Sequence, residues 1–180
     1  MAKTLPTRDQ VAESDTWNLS LMYASRDAWE ADLALAREMG KKLATREGHV
    51  CDSAQDLFDT LEQQTALYRK LGHLGVYVFC LSDQDTSNDT HQEMSQRYSG
   101  IMAGIESSIS FITPEILELE PHRLEDYYKQ YPDLEAYRID LEDTLRLNPH
   151  ILSKDMEKLL ADATEICDNP DQTYSIFSNA

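Results

Sequence analysis

Apolar side chains recur along much of the chain at steps of three and four. Trp29, Leu33, Ala36, Met39 and Leu43 form the first such series, the spacing that lines one face of a helix. Ser25 stands just before it, with Asp27 and Glu30 in the opening turns. A hydroxyl there accepts from an orphan backbone N–H, and acids suit the positive end of the helix. The pattern predicts a helix from about Arg26 to Leu43. A second series follows, Leu57, Leu61, Leu67, Leu71, Val78 and Leu81, with Asp52 or Ser53 placed to cap it. Within it, GHLGVYVFC is rich in β-formers at Val76, Tyr77, Val78 and Phe79. No second β-rich run exists to take up the hydrogen bonds of a lone strand. The helix is therefore carried through to about Leu81, with Gly72 and Gly75 as places for a kink. A third series, Met94, Tyr98, Ile101, Ile105, Ile109 and Ile112, predicts a long helix from about Asp89 to Ile112. Gly100, Ala103, Gly104, Ser107 and Ser108 lie beside this stripe, small enough to admit a neighbouring helix.

Elsewhere the pattern is shorter. The opening, to about Tyr23, is polar and interrupted, with Pro6, Trp17 and Leu19 as expected anchors. Thr113-Pro114-Glu115 reads as a helix start, a capping hydroxyl followed by proline at the first helical position. Short helices broken at Pro121 and Pro132 come next, then a helix capped by Ser153 that carries Met156, Leu159, Leu160, Ala163 and Ile166. Asn169-Pro170 restarts the chain into YSIFSNA. The expected class is all-α, antiparallel helices joined by short connections. Residues 1–180 are expected to form one helical domain, with a sub-division into long helices (1–112) and short ones (113–180).

Charge narrows the function. With 33 acidic and 16 basic residues the net charge is −17, the wrong sign for nucleic-acid backbones or anionic membranes. Such a surface keeps a chain soluble and favours cationic ligands. The cysteines, Cys51, Cys80 and Cys167, form no C-x-x-C pair. Cys80 and Cys167 lie in apolar settings and read as small buried residues in a reducing compartment. The first residues lack the apolar core of a signal peptide, and no run of 18 apolar residues occurs. The expected location is the cytoplasm.

Candidate chemistry is confined to three kinds of place. The loop LSDQDTSNDTHQE, Leu81 to Glu93, lies between two helices and is rich in oxygen ligands, like a calcium-binding EF-hand loop. In the register beginning at Asp83 the sixth residue is Asn88 and the twelfth Met94; beginning at Asp85 they are Thr90 and Gln96. Both lack the turn glycine and the closing glutamate, so the loop reads as a hairpin turn whose acids start the next helix. Histidines 49, 73, 91, 122 and 150 include no pair four apart, and no H-E-x-x-H, P-loop or nucleophile elbow occurs. Glu118 and Asp126 flank His122 at four residues each way, a pattern more often a surface charge pair. Spacing leaves a Cys–His nucleophile pair open, although the apolar setting of Cys80 argues against a thiolate there. Last, Tyr127, Tyr128, Tyr131 and Tyr137 cluster among acids. They are candidate peptide or interdomain contacts, since tyrosine is large, stiff and able to donate. Packing between short helices explains them more simply. No catalytic and no metal-ligating residue is assigned.

The stretch LPTRDQVAESDTWNLSLMYASRDAWEADL resembles the beginning of oligoendopeptidase F enzymes, through Leu5-Pro6-x-Arg8, Trp17-x-Leu19, Tyr23-x-Ser25 and Trp29-Glu30. DTSND falls at that family's hairpin turn, and SFITPEIL, LRLNPHILSKDMEKLLA and YSIFSNA continue the likeness in order. The resemblance implies cytosolic zinc metallopeptidases, related to thimet oligopeptidase, that cut short peptides. In them the N-terminal helices wall a deep channel that excludes folded proteins, and the zinc ligands lie far downstream. The chain is accordingly expected to end before the catalytic half and to be inactive alone. Its expected partners are oligopeptide substrate and its own catalytic domain, with zinc bound in that missing part. Tyr174, Ile176 and Phe177 would anchor the catalytic part, and an uncovered apolar face would favour self-association. A stand-alone acidic interaction module is the rival expectation, and a divalent-metal sensor using the Leu81–Glu93 loop a third.

Overall fold

The computed structural model describes residues 10–148 together with 156, 173, 174 and 177. Among the described residues every regular element is an α-helix or a 3-10 turn, and none is a strand. Contacts divide the chain into a unit of residues 1–138 and a second of 139–180.

The first unit is built on three long helices, α1 (Arg26–Ala44), α2 (Ala54–Gln84) and α3 (Asp89–Ser108). Their starts lie where the sequence placed caps. The Ser25 hydroxyl accepts from the Ala28 N–H at 3.2 Å, and the Ser53 hydroxyl from that of Asp56 at 3.1 Å. At α3 the cap is Asn88, whose side-chain oxygen accepts from Thr90 and His91. GHLGVYVFC is helical, as the missing strand partner requires.

Cross-links fix the directions. The Trp29 indole donates to the Leu74 carbonyl at 3.2 Å and Lys70 pairs with Asp32 at 2.9 Å, so α1 and α2 run antiparallel. Arg26 meets Glu93 and Arg97 meets Glu30, so α1 and α3 run parallel. Trp29 of α1 and Leu57, Leu67, Leu74 and Val78 of α2 are fully buried. Each large apolar side chain so removed from water contributes about 1.5–3 kcal/mol. Close approach is made at two glycines. A Cβ on Gly40 would lie 3.1 Å from Ile105, and one on Gly75 would lie 2.7 Å from the Tyr98 hydroxyl.

The long series beside α3 extends past the helix. Met94, Tyr98, Ile105, Ile109 and Ile112 are all buried, yet α3 stops at Ser108 rather than Ile112. Serines end it: the Ser108 hydroxyl bonds back to the Ile105 carbonyl at 2.7 Å, and Ser110 to Ser107 at 2.9 Å. Such back-bonds satisfy the last carbonyls and compete with further helix. Ile112 then opens a short helix, α4 (Ile112–Leu117), with Phe111 before it and no side-chain cap. Thr113 therefore lies inside the first turn and is not the cap. Pro114 is tolerated there because its missing N–H is not needed. Helix α5 (Pro121–Gln130) and a 3-10 segment (Pro132–Tyr137) begin at the two expected prolines. Of the opening anchors, Leu19 is buried but Trp17 is 76% exposed. Cys80 is half-buried rather than buried. Pro6, Cys167, the Ser153 cap and the Asn169-Pro170 restart fall outside the described residues.

Helix α6 (Arg138–Leu147) carries the chain into the second unit. There Leu141 is buried, while Ile139, Leu147, Met156, Tyr174 and Phe177 are exposed.

Candidate functional site

The four clustered tyrosines serve as struts. Tyr127 is buried, and its hydroxyl donates to the Cys51 carbonyl at 2.7 Å; Arg123 lies over its ring and donates to the same carbonyl at 3.2 Å. Tyr128 is buried beneath the Arg138 guanidinium, 3.9 Å from the ring centre. Tyr131 and Tyr137 are half-buried against Phe58 of α2, with ring centres 4.9 and 6.1 Å away. The Tyr137 hydroxyl donates to Glu62, and burial together with that carboxylate raises its pKa. Tyr174 and Phe177, in the second unit, stand 72% and 86% exposed.

The connection after α1 is also held to α4, through Glu115. The Glu115 carboxylate accepts from the backbone N–H groups of Gly48 at 2.7 Å and Val50 at 3.0 Å. Gly48 adopts φ +79°, a conformation that L side chains rarely take. Beside it, burial first and the Glu115 charge second push the Cys51 thiol up to about 12. A thiol raised in this way holds little thiolate near neutrality, which makes it a poor nucleophile.

Several oxygens of the Leu81–Glu93 loop have partners within the chain. Asp85 accepts from the backbone and hydroxyl of Ser87, Asn88 caps α3, and Glu93 pairs with Arg26 and, at 3.6 Å, with Arg97. Among the described residues no three His, Cys, Asp or Glu side chains are grouped to hold a metal ion.

One surface feature departs from the sequence-based expectation. The small residues of α3 do not all receive another helix. A Cβ at Gly100 or Gly104 would have nothing within 4 Å. They form instead the floor of a groove of about 560 Å³ between α1 and α3, flanked by Arg37, Lys41 and Arg97 and lined by no carboxylate. Arg97 also reaches over Trp29, 5.4 Å from the ring. Burial works to raise the pKa of Glu30, but its hydrogen bonds to Arg97 and Arg26 outweigh that and hold it below the usual range.

Known proteins are similar to this chain in sequence and in fold. A family model described as Oligopeptidase F matches residues 115–180. Oligopeptidase PepF of Bacillus subtilis is 31% identical over 179 residues, 99% of this chain. The group B oligopeptidase PepB of Streptococcus agalactiae is 30% identical over 96% of it. The chain spans 27% and 29% of the length of these two relatives. The crystal structure of oligoendopeptidase-F from Enterococcus faecium superposes with a TM-score of 0.71 at 28% identity, covering 84% of this chain and 30% of that one.

Proposed function

Since the chain belongs to the oligopeptidase F family, we propose that it is the N-terminal helical domain of a zinc-dependent endopeptidase acting on short oligopeptides in the cytoplasm. On this reading it helps to enclose the substrate channel, excludes folded proteins and cuts nothing by itself. The observation that carries the reading is the match along 99% of this chain to a protein of which it spans 27%. The chemistry of cleavage is assigned to the remainder of such a protein. Zinc is assigned to that remainder too.

What this domain supplies is shape and rigidity. Three packed helices with buried cross-links form a stiff wall, and stiffness is what a size filter needs. Tyr127, Tyr128, Tyr131 and Tyr137 are assigned to holding the short helices in place. Tyr174 and Phe177, exposed, are assigned to contact with the catalytic part. Exposed Tyr68, Val76 and Phe79 on α2 offer apolar surface to that part or, in the isolated chain, to a second copy. The test is a quenched oligopeptide incubated with the isolated chain and zinc. Turnover indistinguishable from a chelated control is expected; turnover above it would overturn the assignment.

A further inference from the structure

The groove between α1 and α3 is electrostatically out of character for this chain. In a molecule of net charge −17, its lining includes three cations and no acid. Two of them, Arg37 and Lys41, stand four residues apart on α1, a like-charge pair that destabilises a helix unless something negative lies beside it. Lys41 has Glu38 at 2.7 Å, and Arg97 has Glu30 and Glu93. Among the described residues Arg37 has no ion-pair partner. The floor is equally unusual: Gly100 and Gly104 leave backbone uncovered one turn apart, with Ser108 a further turn along. Glycine at successive turns admits close approach of another backbone, and an arginine fork matches a carboxylate in two parallel hydrogen bonds.

We propose that this groove binds the free C-terminal carboxylate end of an oligopeptide, the backbone lying over Gly100 and Gly104 and the carboxylate meeting Arg37 and Lys41. Charge complementarity selects the occupant: the groove favours an anion, and every unmodified peptide ends in one. The inference rests on the oligopeptide reading above and deepens it. A peptide caught by its terminus at the wall is oriented before it reaches the site of cleavage.

The test is fluorescence anisotropy of the isolated chain with one labelled oligopeptide, as the free acid and as the C-terminal amide. The free acid is expected to bind about tenfold more tightly at low salt, and the preference to shrink as salt rises. Arg37→Gln with Lys41→Gln should abolish the preference. Gly104→Leu, whose side chain enters open space, should block binding of both peptides while circular dichroism and the unfolding midpoint show the fold intact. Equal affinity for acid and amide, or unchanged binding by Gly104→Leu, overturns the proposal. Neither result touches the hydrolysis assay of the isolated chain, so the groove and the family reading fail separately.

Discussion

Gly72 and Gly75 lie three residues apart in α2, yet replacement by alanine is expected to act in opposite directions. A Cβ at Gly75 would sit 2.7 Å from the Tyr98 hydroxyl, 2.9 Å from Cζ and 3.0 Å from Cε1, whereas one at Gly72 meets nothing within 4 Å. Tyr98 is buried and its hydroxyl donates to the Leu71 carbonyl at 2.7 Å, so the ring cannot give way without losing that bond. Overpacking costs about 1–3 kcal/mol and a lost buried hydrogen bond about 1 kcal/mol. The helix gains about 0.8–1 kcal/mol from alanine at either site. Gly75→Ala should therefore destabilise by about 1–3 kcal/mol, and Gly72→Ala should stabilise by up to about 1 kcal/mol. For a chain of this size each kcal/mol moves Tm by about 2–4 °C. The assay is thermal and urea unfolding followed by far-ultraviolet circular dichroism. A third variant sharpens it: Gly75→Ala should cost less in a Tyr98→Phe background, because the nearest clashing atom has gone. Midpoints moving the same way for both glycines, or no coupling to Tyr98, would refute the packing of α2 on α3 at this point.

The polar cross-links carry the other expectations. Hydrogen bonding from Lys70 lowers the Asp32 pKa, burial opposes, and the Tyr23 hydroxyl adds to the lowering. A depressed carboxylate stabilises above its ordinary value of 3.8 and loses that contribution as pH falls through the lower folded value. The urea midpoints of the wild type and Asp32→Asn should therefore differ most near neutrality and converge in acid; a constant gap would contradict the linkage. Cys51, at about 12 against an ordinary 9.0, should hold about a thousand-fold less thiolate than an unperturbed thiol. Mass spectrometry after iodoacetamide at about pH 8, just below the ordinary thiol pKa, should find it unmodified in the folded chain and alkylated in urea. Equal labelling would show it accessible and ionisable. Glu115→Ala leaves the Gly48 and Val50 N–H groups without their acceptor and should cost about 1–3 kcal/mol, read from urea unfolding; an unchanged midpoint would show that the loop holds without α4.

Features carried by neighbouring residues were legible in the sequence. Ser25 and Ser53 cap α1 and α2, and Pro121 and Pro132 open the next elements, because caps and proline act through local backbone geometry. Asn88 caps α3 within the loop read as a turn. Periodicity overshoots the end of α3, because the apolar stripe continues in register to Ile112 while the Ser108 and Ser110 hydroxyls bond back to carbonyls and the helix stops beneath it. Periodicity reports burial, and burial persisted through the break. Trp17 illustrates the converse, a large apolar residue whose exposure depends on which surfaces surround it. The difference between Gly72 and Gly75 requires knowing that Tyr98 faces only one of them. The groove was hidden for a similar reason. Gly100 and Gly104 were visible as small residues, but Arg37 and Lys41 arrive from a helix far earlier in the chain, through the parallel pairing of α1 with α3. That pairing is tertiary, fixed by contacts such as Glu30 with Arg97 and Gly40 against Ile105.

If this chain is the helical wall of an oligopeptidase, it should serve as one when joined to a catalytic part. The most direct test is a chimera in which these 180 residues replace the matching segment of the Bacillus subtilis oligopeptidase PepF, the remainder of that protein left intact. Zinc content and circular dichroism establish that the chimera is loaded and folded, and a quenched oligopeptide and a folded protein are then offered side by side. Cleavage of the oligopeptide with the folded protein spared is the predicted result. A folded, zinc-loaded chimera that leaves the oligopeptide uncut, or that degrades the folded protein, would contradict the account.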